Sequence, residues 1–294
     1  MGTVLDRLAE KKLLVSDGAW GTMLQSRGLS GDDCPEEWNV SHPADVRAIA
    51  SAYVQAGAEM ILTNTFGGSR VKLDKKHLGE KVVEFNRAAA ALSLEAAGKA
   101  LVAGSVGPTG EFLQPLGLMS EEQMQAVFSE QIEAILSAGV RAICVETMMA
   151  LEEAACAIKS AKALDATVDV LATMTFEKGA QGYRTMMGVS PAQAVAGLIE
   201  AGADVVGSNC GNGIEGMVEV AAEFRQHTDR PILIHANAGV PQLIGGKTVF
   251  RQTPEDFAAS VDALLDAGAT IVGGCCGTTP DHIRAIRRVV DARR

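Results

Sequence analysis

The sequence predicts an α/β protein built as a single (β/α)8 TIM barrel, one domain across residues 1–294. Three observations predict it. Runs rich in β-branched residues alternate with amphipathic stretches along the whole chain, Ala-Gly pairs recur ahead of alternate runs, and reactive side chains gather where the runs end.

The strand-like runs cover residues 13–17, 60–65, 101–107, 142–147, 168–176, 204–210, 231–238 and 270–275, and a helical segment follows each. Eight such units match the number that closes a barrel. An open doubly wound sheet is the competing arrangement, but no Gly-x-Gly-x-x-Gly turn follows the first run. No Pro, Gly or Ser cluster and no low-complexity tract marks a linker.

Ala56-Gly57, Ala138-Gly139, Ala201-Gly202 and Ala267-Gly268 stand ahead of runs two, four, six and eight, where glycine supplies a left-handed helix cap. Helix starts are equally legible. Ser190-Pro191, Thr253-Pro254 and Thr279-Pro280 each place a capping hydroxyl before a proline at the first helical position, and Ser120 with Gln123 reads as a capping box.

Composition narrows the functional classes. A formal net charge of −10, with Lys and Arg scattered, argues against a phosphate-backbone partner, so no nucleic acid is expected. No apolar run approaches the roughly 20 residues a membrane span needs, and residues 1–12 lack the pattern of a secretory leader. A cytoplasmic protein without membrane contact is the expectation. Six cysteines in a chain of this length, in a reducing compartment, do not suggest a disulfide framework.

A barrel carries its chemistry at the C-terminal ends of its strands. Asp17, Thr63-Asn64-Thr65, Glu146, Asn209-Cys210, Asn237 and Cys275-Cys276 all fall there. Three thiols from strands six and eight match a tetrahedral zinc site with one position open. The alternative is that they are small buried hydrophobes, the reading adopted for Cys144 and Cys156; Cys34 reads as incidental. Zinc held by three thiolates is a poor hard Lewis acid and a good host for a fourth thiolate, which points to thiol alkylation without a separate general base.

Other reactive residues compete weakly. His235 reads as a satisfied interior histidine, and His42, His77, His227 and His282 as loop or helix-surface residues. Lys72, Lys75 and Lys76 read as a solvated face.

Asp17-Gly18-Ala19 with Gly21-Thr22, Thr63-Asn64-Thr65-Phe66, Gly107-Pro108-Thr109, Glu146-Thr147, Asn209-Cys210, Asn237-Ala238-Gly239 and the segment 273–280, Gly-Gly-Cys-Cys-Gly-Thr-Thr-Pro, together resemble the homocysteine S-methyltransferase family. Within it the likeness is greatest to the homocysteine-binding domain of cobalamin-dependent methionine synthase. The resemblance runs in order from about residue 13 to the C-terminus, and its last segment is the most specific.

The resemblance implies methyl transfer to homocysteine, giving methionine, with Zn2+ on Cys210, Cys275 and Cys276. It implies that Asn237 supplies a fourth ligand until substrate displaces it; the local alternative is that Asn237 bonds strand-end backbone. Asp17 and Glu146 would receive the substrate ammonium, unless each is a helix cap or a solvated end. Backbone amides near Gly18 and Ala19, with Thr63, Thr65 or Ser105, would meet the carboxylate. The implied donor is a methyl-corrinoid on a separate protein or domain. S-methylmethionine is the alternative; betaine is disfavoured because the chain offers only Trp20, Trp38, Tyr53 and Tyr183 beyond its phenylalanines for an aromatic cage, although Trp20 and Trp38, both after strand one, could form a partial one. A non-enzymatic zinc- or thiol-binding barrel is a third reading, against which the rim carboxylates argue.

Overall fold

The strands succeed one another round a ring: β1 (Leu14–Val15), β2 (Met60–Leu62), β3 (Leu101–Val106), β4 (Ala142–Met148), β5 (Asp169–Met174), β6 (Val205–Gly213), β7 (Ile232–Asn237) and β8 (Ile271–Gly274). The structure, a computed structural model, describes residues 3–245 and 247–294. All neighbouring pairs are parallel. β1 pairs with β8 through Leu14 and Ile271, while a parallel bridge from Ser16 to Met60 and the Glu59 N–H to Val15 carbonyl bond (2.7 Å) close the ring onto β2.

Nearly every strand residue is buried, because the sheet is covered by helices outside and filled by side chains inside. Alternate residues face inward. Leu14, Leu62, Ala103, Cys144, Leu171, Val205, Leu233 and Ile271 share one apolar cluster that fills the lumen, and Val4 and Leu8 of the helix Val4–Lys11 stopper its lower end. The same parity carried upward reaches Ser105, Glu146, Thr173, Asn209, His235, Asn237 and Cys275. The lumen therefore changes from apolar to polar along one inward face.

Helix ends follow the sequence signals. Ser120 and Ser190 accept bonds from the Gln123 and Gln193 amides, and Gly57, Gly139, Gly202 and Gly268 all hold φ between 103° and 112°. Left-handed backbone there lets each chain leave its helix and enter the next strand. Two antiparallel hairpins, Glu177–Gly179 with Gly182–Arg184 and Gln242–Ile244 with Lys247–Val249, interrupt the expected strand-to-helix step after β5 and β7. No helix among the described residues is long and apolar enough to cross a membrane.

Candidate active site at the C-terminal mouth of the barrel

A cavity of about 270 Å³ opens at the upper end of the lumen. Gly18, Ala19, Thr63, Ser105, Glu146, Cys210, Cys275 and Cys276 line it, together with Trp20, Glu36, Phe66 and His235. Asp17, Thr65 and Asn237 are buried behind that lining.

The three sulfurs of Cys210, Cys275 and Cys276 lie within 4.8 Å of one another. Cys210 reaches this point because β6 loses register with β7 between Asn209 and Gly213, and Cys210 itself adopts φ 59°. Cys275 and Cys276 are fixed by the Cys275 N–H to Ala236 carbonyl bond (2.7 Å) and the Ala238 N–H to Cys276 carbonyl bond (2.9 Å). The glycines before them permit close packing: a Cβ on Gly274 would stand 2.3 Å from Thr278 Oγ1, the hydroxyl that donates to the Cys275 carbonyl at 2.8 Å.

The donor set fits a soft dication. Hydrogen bonds from the Cys275 and Cys276 thiols hold the Cys210 thiol far below its ordinary range, while bonding to Cys210 and burial push Cys275 and Cys276 upward. Three sulfurs so arranged share one negative charge readily; ionising all three calls for a bound cation. Asn237 stands beside Cys210, and its buried Oδ1 has no partner among the described residues, an acceptor suited to the same ion.

Two buried carboxyls adjoin the sulfurs. Asp17 Oδ2 accepts the Leu62 N–H at 2.8 Å and the Trp20 Nε1–H at 3.0 Å, and Ser105 Oγ donates to Glu146 Oε1. Burial nevertheless pushes each up to about 7, and for Glu146 the nearby charges of Asp17 and Cys210 add to the rise. Such a pair is suited to an incoming cation, which would favour the ionised forms.

The candidate hydroxyls and the Ala19 amide are bonded within the barrel wall. Thr65 Oγ1 donates to the Ser105 carbonyl at 2.7 Å and lies 2.6 Å from Thr63 Oγ1, which accepts the Ser105 N–H at 3.0 Å. The Ala19 N–H donates to Thr278 Oγ1 at 3.1 Å, so that amide serves the barrel wall.

Several residues differ from their sequence reading. His282 is buried: Nδ1 lies 3.2 Å from the Thr279 N and Nε2 lies 3.0 Å from the Gln252 carbonyl, because the capping position turns its ring inward against Phe257. His235 is interior, but its Nε2 lacks a partner among the described residues, and burial lowers it to about 4. Trp38 stacks on His42 at 4.2 Å in the outer core and takes no part in the cavity. Cys144 and Cys156 are core residues, in agreement with their sequence reading, whereas Cys34 is buried against Glu36. Lys75 pairs with Glu111 at 3.0 Å, and Lys76 donates to the Asp32 carbonyl.

Glu36 goes unnamed in the sequence reading, and Asn209, named there among the strand-end residues, is given no role of its own. Glu36 accepts the Gly67 N–H at 2.6 Å and so shapes the loop carrying Phe66. Its only sequence signal is proximity to Cys34-Pro35 in a polar loop. The sequence signal for Asn209 is its place immediately before a strand-end thiol.

A family model for homocysteine S-methyltransferase matches residues 14–290. The methionine synthases of Mycobacterium leprae (strain TN) and Mycobacterium tuberculosis (strain ATCC 25618 / H37Rv) are each 30% identical over 305 residues, covering 98% of this chain and 25% of theirs. The chain thus spans about a quarter of the length of those relatives. Betaine–homocysteine S-methyltransferase 1 of Danio rerio is 30% identical over 319 residues, covering 99% of this chain and 76% of its own. Among solved structures, the metallated form of the homocysteine methyltransferase MmuM from Escherichia coli superposes with a TM-score of 0.79 at 24% identity, covering 98% of this chain and 99% of that one.

Proposed function

Because the chain belongs to the homocysteine S-methyltransferase family, we propose that it methylates homocysteine to methionine at the mouth of the barrel, with Zn2+ held by Cys210, Cys275 and Cys276. The observation carrying this reading is the convergence of three sulfurs within 4.8 Å on a cavity that also contains Glu146. Asn237 Oδ1 is the proposed fourth ligand in the absence of substrate. Zinc in such a site supplies acidification of a fourth thiol, so that a thiolate is present at neutral pH.

The chain's own residues do the positioning. Glu146, with Asp17 behind it, receives the substrate ammonium, and ion pairing draws both carboxyls toward their ionised forms. Gly18, Ala19, Thr63, Thr65 and Ser105 are the candidates for the carboxylate; Gly18, Ala19, Thr63 and Ser105 line the cavity, and the Thr63 and Ser105 hydroxyls must exchange their bonds to Thr65 and Glu146 to donate to it. Phe66 and Trp20 limit water around the sulfur, which favours in-line attack on a methyl group entering from the mouth.

The proposed donor is a methyl-corrinoid carried by another protein or domain. Similarity to methionine synthases supports it, as do large exposed apolar side chains on the loops after β3, β5 and β7, where Phe112, Leu116, Leu118, Met186, Val240 and Leu243 project. Similarity to a betaine-dependent relative keeps a free-standing donor, S-methylmethionine or betaine, as the second reading. Free thiols throughout the chain support a reducing, cytoplasmic setting.

Metal analysis of freshly reduced protein is expected to give about one zinc per chain, as for a single three-cysteine site, with Cys275→Ser abolishing it. Methionine should then form from homocysteine and methylcobalamin. Formation from S-methylmethionine or betaine alone would establish the second reading, and a protein without zinc would overturn the metal assignment.

A further inference from the structure

Four strands meet at the side chain of Asn209. Its Oδ1 accepts the Thr147 N–H at 2.8 Å and the Thr173 hydroxyl at 2.7 Å; its Nδ2 donates to Thr147 Oγ1 at 2.7 Å and lies 3.9 Å from Cys275 Sγ. The backbone donor at Thr147 fixes which end of the amide is oxygen, so the NH2 end must face Thr147 Oγ1 and the Cys275 sulfur. Asn209 is fully buried.

The contacts fall where the sheet is irregular. β4 loses register with β5 between Val145 and Met148, and β6 loses register with β7 between Asn209 and Gly213. Thr147 and Cys210 hold φ of 62° and 59° at these breaks, a conformation that non-glycine side chains adopt only when surrounding contacts enforce it. Thr147 follows Glu146, and Cys210 follows Asn209. One amide thus replaces the ladder bond missing at Thr147, anchors the turn that delivers Cys210, and presents an N–H to the thiol of a third strand.

We propose that Asn209 is a positioning residue that fixes the metal-binding sulfurs relative to the Glu146 carboxylate, and so sets the separation at which the substrate's thiol and ammonium are received. The inference rests on zinc occupying the three-cysteine site. An N–H directed at a thiolate also withdraws charge from the sulfur, so the amide adjusts the donor strength of Cys275 as well as its place.

The test uses the full chain, zinc alone with a competing chelator, and the cobalt(II)-loaded form. Asn209→Ala is expected to weaken zinc binding by about ten- to a hundred-fold, the range for outer-shell partners of metal ligands. It should also shift the thiolate-to-cobalt charge-transfer band and weaken homocysteine binding to the loaded protein. Should the variant fold and keep the wild-type band, zinc affinity and homocysteine affinity, the positioning role is overturned. If it does not fold, Thr173→Val decides the matter, since it frees one side of the Asn209 oxygen: a few-fold loss of zinc affinity supports the role, and none overturns it. Wild-type protein that binds no zinc refutes the metal reading and this inference together, whereas zinc bound equally by wild type and variant, with the band and homocysteine affinity also unchanged, refutes the inference alone.

Discussion

Trp20 Nε1 donates to Asp17 Oδ2 at 3.0 Å, so the indole that walls the cavity also holds the carboxylate behind it. Burial raises Asp17 to about 7, and this bond opposes the rise. In Trp20→Phe the ring packing survives while the donor is lost, and Asp17 should titrate higher still. A hydrogen bond to a charged group contributes about 1.5–3 kcal/mol. The KM for homocysteine is therefore expected to increase about tenfold at pH 7, with the gap narrowing toward pH 9 and kcat nearly unchanged. Steady-state kinetics across that range provide the check, and superimposable pH profiles would remove Trp20 from substrate binding.

Asp17 and Glu146 also predict how stability varies with pH. Burial raises both to about 7, above the roughly 4 of an unfolded chain. Between those values the folded state holds more protons than the unfolded one, so stability falls as pH rises from about 4 to about 7 and then levels. Asp17→Asn can keep its oxygen toward Leu62 and Trp20 while turning its NH2 to Ser16 Oγ. The variant should therefore melt higher than wild type at pH 8 and similarly at pH 4, while binding homocysteine more weakly. Thermal melts at the two pH values measure this; an unchanged difference between them would contradict the assigned titration.

The barrel was legible because its signals are local. β-branched runs mark the strands, and Gly57, Gly139, Gly202 and Gly268 announce the helix exits with a conformation that glycine tolerates best. Period-two alternation carries Glu146 and Cys275 to the inward face, so their place followed once strand ends were known. Cys210 and Cys276 required more than parity, since Cys210 turns inward through a register break that no local preference announces. Glu36 goes unread and Asn209 is read without a role because what they do is defined by backbone groups up to 62 residues away. The two hairpins were hidden for a different reason: Gly-rich turns after β5 and β7 read equally well as plain loops. His282 shows a third limit, because a helix's first turn is ordinarily exposed and tertiary contacts with Gln252 and Phe257 bury it.

At the opposite end of the barrel Glu59 accepts hydrogen bonds from Lys11 at 2.6 Å and Arg294 at 2.5 Å, and pairs with Arg287 at 3.1 Å. Burial works to raise its carboxyl, but the bonds from Arg294, Lys11 and the Val15 N–H, with the Arg287 charge, hold it at about 2. A depressed carboxylate stabilises the fold above its unfolded value near 4 and loses that contribution as pH falls toward 2. Glu59→Gln should destabilise by about 2–3 kcal/mol at pH 7, below the full cost of breaking a buried pair because its partners are partly solvated. Urea titrations at pH 7 and pH 3 should show the difference shrinking in acid. Activity per folded molecule should not change, because Glu59 lies below the apolar lumen that separates it from the sulfurs; a large kcat effect would contradict that separation.

Gly207 stands two residues below Asn209 on the same inward face, paired with Leu233 of β7. A Cβ there would lie 1.8 Å from the Leu233 carbonyl oxygen and 2.8 Å from its carbon, so backbone rather than a flexible side chain must yield. Gly207→Ala should therefore part β6 from β7 and destabilise the barrel by about 3 kcal/mol, the upper part of the range for overpacking. Because Cys210 follows three residues later on the displaced strand, zinc affinity should fall in whatever protein remains folded. Gly31→Ala is the matched control: nothing lies within 4 Å of the added methyl, and its effect should stay within about 0.5 kcal/mol. Equal denaturation midpoints for the two variants would mean that β6 can shift without cost, and the close β6–β7 contact would then not be what holds Cys210 against the other two sulfurs.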